Sequence, residues 1–240
     1  MKGIILAGGL NIQLYPVALA MSKQLLPVYD KSMIYHPLLL PMLAGIREIL
    51  VISPPEDLSS FHQLLGKGER WGSTFRYVQQ LQPLSLVDAF LVERKFLSNE
   101  PCCLILGDKI LYGTGLWQKL QEAVKIKRGA LIFAYPVRGL SSSGIVEFDN
   151  TGRIVGLEDK SAIPRSRYAV PSYYFYDDQV CGIASSFVPS THIGIDITDI
   201  NRYYLENDQL NAQLLSCGAA WFTRRAPMNI SRMPRLLYNQ

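Results

Sequence analysis

Met1-Lys2-Gly3-Ile4-Ile5-Leu6-Ala7-Gly8-Gly9 opens the chain and points to its fold class. Residues 3–7 are a continuous apolar run, the pattern of a strand buried on both faces of a sheet. Gly8-Gly9 stops the run, and glycine at such a point lets backbone N–H groups come close to a phosphate or a base. The run is too short to span a membrane, so it reads as a first strand entering a glycine turn and not as a signal peptide.

Outward from this stretch, residues 48–53, 74–79, 102–106 and 130–137 repeat the buried-strand pattern. Helical periodicity falls between them, at 32–44, 56–65, 86–96 and 116–126. Strands alternating with helices predict an α/β fold with a Rossmann-like, mostly parallel sheet flanked by helices on both faces. The second half predicts a hairpin of 144–148 and 153–157 around Asn150-Thr151-Gly152, and a strand over 168–176. Helices are expected at 177–187 and 196–205, with N-cap chemistry from Thr198 and Asp199. The antiparallel elements are expected to form a small part covering the crevice at the strand ends, where such sheets bind ligands. The expected organisation is one domain, with a core at 1–137, a second part at 138–223 and an irregular tail at 224–240.

Composition narrows the function classes. In a chain of 240 residues, 48% are hydrophobic and 18% charged, which excludes a disordered chain. The net charge of +4 is mild and the basic residues are scattered, so neither nucleic acid nor a lipid surface is an expected partner. Cys102, Cys103, Cys181 and Cys217 lack zinc-site spacing and read as buried thiols in a reducing cytoplasm.

The sequence resembles the sugar-1-phosphate nucleotidylyltransferases, most closely the glucose-1-phosphate thymidylyltransferases. The residues that carry the likeness are the opening stretch, Leu14-Tyr15-Pro16, and Ser22-Lys23-Gln24-Leu25-Leu26-Pro27-Val28-Tyr29-Asp30. Leu43-Ala44-Gly45-Ile46, Leu106-Gly107-Asp108, Val146-Glu147-Phe148-Asp149, Tyr174-Phe175-Tyr176-Asp177 and Ile197-Thr198-Asp199-Ile200-Asn201 extend it over roughly residues 1–221. The resemblance implies transfer of a nucleoside monophosphate from a triphosphate to a sugar 1-phosphate with release of pyrophosphate. Such chemistry asks the protein to position its substrates and stabilise charge on the α-phosphate.

By the same resemblance, Lys23 and Asp108 are the catalytic residues. Leu6, Gly8, Gly9, Gln24 and Gln80 are the nucleotide-binding ones. Gly144, Asp159, Lys160 and Val170 fall on the sugar side, Asp108 is the ligand for Mg2+, and the resemblance makes 1–137 the nucleotide-binding core and 138–223 the sugar-binding part. The chain departs from the pattern at several of these points. Gln13 stands where the family has a phosphate-clamping arginine, and Asn11 replaces a glycine. Ser85-Leu86-Val87 replaces Gly-Leu-Ala near the base. Thr223 replaces the second metal-binding aspartate, and Lys109 replaces a neutral neighbour of Asp108. Pro171-Ser172 replaces Thr-Gly, and His192 lies in a segment that has lost an arginine and a glutamate.

These exchanges predict a protein with little or no catalytic activity that binds a nucleotide or sugar phosphate. It would act as a regulatory or partner subunit, in a homo-oligomer or beside an active paralogue. The alternative expectation is an active nucleotidyltransferase, using Mg2+, with an unusual site. One route to activity would be an arginine from another chain, or from Arg224-Arg225, reaching the Gly8-Gly9 loop.

Overall fold

Every residue of β1 (Lys2–Leu6) is buried, which is what its unbroken apolar run demands. It pairs in parallel with β4 (Glu48–Ser53) and with β6 (Cys102–Leu106), and β4 pairs in parallel with β5 (Thr74–Gln79). The computed structural model describes residues 1–8, 22–80, 86–137, 144–159, 165–187, 196–216 and 218–223.

The remaining strands are β2 (Pro27–Val28), β3 (Lys31–Ser32), β7 (Lys109–Gly113), β8 (Ala130–Pro136), β9 (Ile145–Phe148), β10 (Ile154–Glu158), β11 (Tyr168–Ala169), β12 (Tyr173–Tyr176), β13 (Leu210–Leu214) and β14 (Ala219–Thr223). The main sheet runs β10-β9-β11-β8-β12-β6-β1-β4-β5, with β13 joining β8 in parallel. Within it β12 is antiparallel to both β6 and β8. Two small antiparallel pairs, β14-β7 and β2-β3, lie outside this sheet.

Successive side chains of a strand face opposite sides, so the central strands feed two cores. On one side Ile4, Leu50, Leu104 and Tyr176 pack with α3 (Ala89–Val92), α4 (Arg94–Leu97), α6 (Val180–Phe187) and α7 (Ile197–Glu206). On the other, Ile5, Val51, Cys103 and Phe175 pack with α1 (Tyr35–Leu43), α2 (Pro55–Leu65) and α5 (Leu116–Ala123). Both faces are therefore covered, as the α/β reading expects.

Several elements differ in detail from the sequence reading. The helix expected over 86–96 is two short pieces, because Glu93 takes φ −138° and ψ 60° between them. The strand expected over 168–176 is broken into β11 and β12. Along it the chain advances from Ala169 to Tyr174 while β8 advances only from Tyr135 to Ile132. The excess is absorbed in a bulge at Val170–Ser172, with Ser172 at φ 65°. The N-cap of α7 is Asp196, with Asp199 closing the capping box from its third position, so Thr198 donates its backbone N–H and does not cap. Asp177, expected to begin α6, instead accepts from Gly129 N and from the Tyr204 hydroxyl.

Candidate active site

The parallel strands β1, β4, β5 and β6 end on one edge of the sheet, where an α/β fold offers a ligand crevice. Gly8, Pro54, Gln80 and Asp108 follow these ends in turn. Gly107 closes the gap between β6 and β1: its N–H donates to Leu6 O at 2.8 Å. A side chain there would stand 2.8 Å from that oxygen and 3.3 Å from Ala7 Cα. Only glycine lets the turn carrying Asp108 lie this close to the first strand. Leu6 contributes its backbone to this ledge, since its side chain is buried in the core.

Gly8 is held between two amides. Gln24 Nε2 donates to Gly8 O at 3.4 Å, and a Cβ on Gly8 would collide with Gln80 Oε1. Gln24 is buried and its own Oε1 accepts from Ser22 Oγ at 2.5 Å. Gln80 is buried too, and among the described residues its Oε1 has no hydrogen-bond partner. A buried acceptor without a donor is costly, and a bound N–H group would satisfy it.

Lys23 sits in a tight turn made by Leu25 N to Ser22 O and Leu26 N to Lys23 O, ahead of the β2-β3 hairpin. Ile34 N donates to Gln24 O at 2.9 Å and fixes the segment against the start of α1. From the far side, Asp57 in the first turn of α2 accepts from Ser22 N at 3.1 Å. The turn is thus tied at both ends, and it aims Lys23 at Asp108.

Lys23 Nζ meets Asp108 Oδ2 at 2.5 Å, and Lys109 Nζ stands 2.9 Å from Oδ1 and 3.1 Å from Oδ2. The Lys109 contact is aligned for hydrogen bonding on Oδ2 only, so among the described residues Oδ1 receives charge but no directed hydrogen bond. Burial alone would raise the Asp108 pKa. The charges of Lys109 and then Lys23, with their hydrogen bonds, outweigh it and hold the carboxyl below the usual carboxylate range. Among the described residues no cluster of three or more His, Cys, Asp or Glu side chains is arranged to hold a metal. A single carboxylate with an undonated, buried Oδ1 nevertheless fits a magnesium ion, which often takes one or two carboxylates together with phosphate oxygens.

Of the residues expected on the sugar side, Gly144, Asp159 and Val170 gather beside β9 and β10. Val170 N donates to Gly144 O at 2.8 Å, and Gly144 lies under Glu158 O, one residue before the exposed Asp159. The Val170–Ser172 bulge carries them toward the edge that holds Asp108, because Leu106 N donates to Ser172 O at 3.4 Å beside the end of β6. Gly9, Gln13 and Lys160 lie outside the described residues, as do Asn11, Ser85, His192, Cys217 and the Arg224-Arg225 pair. Thr223 is placed only through its backbone, which pairs with Lys109 across β14 and β7.

Asp57 and the clamp on Ser22 escape a reading of the sequence. Asp57 is merely an acid in the first turn of a Pro-started helix, and nothing local couples it to a residue so far away in the chain. Lys109 is visible as an added charge, but not as a second ammonium on the same carboxylate.

Residues 2–222 match the nucleotidyl transferase family. The chain belongs to that family. Within it, the glucose-1-phosphate thymidylyltransferase of Neisseria meningitidis serogroup A is 47% identical over 221 residues, covering 92% of this chain and 77% of the relative. The enzyme of the same name from Mycolicibacterium smegmatis is 46% identical, covering 92% and 76%. A Bacillus anthracis protein assigned to the same activity, solved in complex with sucrose, superposes with TM-score 0.86 at 30% identity, covering 97% of this chain and 93% of its own. A UDP-glucose pyrophosphorylase complexed with UDP-glucose gives TM-score 0.75 at 21% identity, covering 92% of each chain, a likeness of fold alone.

Proposed function

We propose that this chain is a sugar-1-phosphate nucleotidyltransferase acting on glucose 1-phosphate and a nucleoside triphosphate, with thymidine the preferred base, and that it turns over slowly. The observation that carries the reading is the Lys23–Asp108 pair seated on the Gly107–Leu6 ledge, beside a Gly8 turn flanked by Gln24 and Gln80.

In this reading the Gly8 end of β1 approaches the nucleotide, and the Gln24 and Gln80 amides meet the base edge, where Gln80 Oε1 accepts its N–H. Lys23 holds phosphate oxygens. Gly144, Asp159, Lys160 and Val170 receive the sugar. A phosphate oxygen of glucose 1-phosphate forms the new bond to the α-phosphorus, and the bond to the bridging oxygen breaks, releasing pyrophosphate. Magnesium held by Asp108 would neutralise charge on the phosphates. Gln13 cannot supply the charge of the arginine it replaces. Loss of such a group costs about a hundredfold to a hundred-thousandfold in rate.

A second reading is a ligand-binding or regulatory subunit with little or no turnover, beside an active paralogue. It is favoured by the Lys109 ammonium on Asp108, joined by the Gln13 and Thr223 exchanges. The experiment that separates the two supplies glucose 1-phosphate, magnesium and each nucleoside triphosphate in turn, with mass spectrometry of the sugar nucleotide. Formation of dTDP-glucose ahead of the other products supports the first reading. No sugar nucleotide from any triphosphate, with nucleotide binding retained, supports the second.

Two features bear on setting and assembly. Cys102, Cys103 and Cys181 are free and buried, which supports a reducing, cytoplasmic setting. Among the described residues no helix is long and apolar enough to cross a membrane. A groove of about 290 Å³ between α1, α5, β7 and β14 exposes Leu39, Leu43, Tyr112 and Trp117, which supports an oligomer. Sedimentation of the wild type against Trp117→Glu tests this, and a wild-type monomer at micromolar concentration would overturn it.

A further inference from the structure

We infer that Lys109 is a resident counter-ion that competes with a divalent metal ion for Asp108 Oδ1, so that metal binds only as the ammonium leaves the carboxylate. The inference rests on Asp108 being the metal ligand. Oδ1 is the oxygen left without a directed hydrogen bond among the described residues, which makes it the natural donor to a metal. It is also the atom that Lys109 Nζ approaches most closely, at 2.9 Å, while Lys23 takes Oδ2. A cation at Oδ1 and the Lys109 ammonium would therefore stand against the same oxygen with the same sign of charge and repel each other.

Lys109 is not a solvated lysine that drifts past a carboxylate. Its side chain is only 14% exposed and that of Asp108 13%, so both charges are largely shielded from water and held in contact. Its backbone is fixed on both sides. Lys109 O accepts from the buried Tyr173 hydroxyl at 3.1 Å, and its residue pairs in register with Thr223 on β14. The short turn from Gly107 leaves Nζ next to the carboxylate of the preceding residue. The apoprotein thus carries its own cation at the metal position.

The test is titration of Mn2+ alone into the apoprotein, followed by electron paramagnetic resonance, with near-ultraviolet circular dichroism to establish that each variant is folded. Lys109→Met is expected to bind Mn2+ about tenfold to a hundredfold more tightly than the wild type. Lys109→Arg, which keeps the charge, is expected to stay with the wild type, and Lys109→Gln replaces Lys109→Met should the latter not fold. The double variant Lys109→Met/Asp108→Asn is expected to lose the gain. An affinity unchanged on removing the charge, or a gain that survives Asp108→Asn, overturns the competition. Weakened binding in Asp108→Asn beside an unchanged Lys109→Met would overturn it while leaving Asp108 as the ligand. Absence of Mn2+ binding in every variant would overturn both.

Discussion

The backbone N–H of Ser22 donates to Asp57 Oδ1 at 3.1 Å, which ties the turn carrying Lys23 and Gln24 to the first turn of α2. Burial pushes the Asp57 carboxyl up, and the hydrogen bonds from Ser22 work against that shift. Asp57→Ala would leave a buried N–H without its acceptor, at a cost of about 1–3 kcal/mol in urea unfolding. It would also loosen Lys23, so the KM for the nucleotide should rise, while Asp57→Asn, which keeps an acceptor, should restore most of both. An Asp57→Ala protein with wild-type stability and KM would remove the clamp from the account.

Gly107 packs against Leu6 and Ala7, just before Gly8, yet the two glycines are constrained by different things. A side chain at Gly107 meets the backbone at Leu6 and Ala7, which cannot give way, whereas one at Gly8 meets chiefly the end of the Gln80 side chain. Gly107→Ala should therefore lose about 1–3 kcal/mol of stability. Gly8→Ala should fold nearly as well but bind nucleotide more weakly, because Gln80 is displaced. Thermal unfolding together with nucleotide titration distinguishes the two, and equal stability losses would contradict the assignment.

Ser172 occupies the left-handed region, with φ 65°, inside the bulge between β11 and β12. Such a conformation costs a residue with a branched Cβ about 1–2 kcal/mol. Ser172→Val should be destabilising by at least that amount in chemical unfolding, while Ser172→Gly should be tolerated. A well-tolerated valine would mean that the bulge is not held in this conformation.

The paired charges on Asp108 make a definite prediction about acid. Its folded pKa is depressed, so its contribution to stability is fully present above the ordinary carboxylate value of about 3.9. The contribution is lost as pH falls further, through the lowered folded value. The stability gap between wild type and Asp108→Asn should accordingly be constant near neutrality and shrink only below about pH 4. A gap that closes nearer neutrality would mean that Lys109 and Lys23 do not hold the carboxylate as described.

The central sheet was legible because β1, β4 and β6 are buried on both faces and so leave unbroken apolar runs. The strands missed were β2 and β3, which at two residues each are too short to leave a pattern, and β7, β13 and β14. Lys109–Gly113 and Ala219–Thr223 form a pair that no local pattern announces, and Leu210–Leu214 joins β8 with polar residues among its apolar ones. In the site, Lys23, Gln24, Gln80 and Asp108 were named through the family resemblance, and the fold brings them to one edge. The Asp57 clamp and the shared carboxylate were not, because each depends on a contact that exists only once the chain has folded.

The most direct test of the account is the rate of pyrophosphate release from the purified protein with magnesium, dTTP and glucose 1-phosphate, beside Lys23→Ala and Asp108→Ala. Turnover should be slow but measurable and should fall by about a hundredfold or more in both variants. Wild-type release no faster than that of the variants would contradict it, and would leave the chain as a binding or regulatory member of its family.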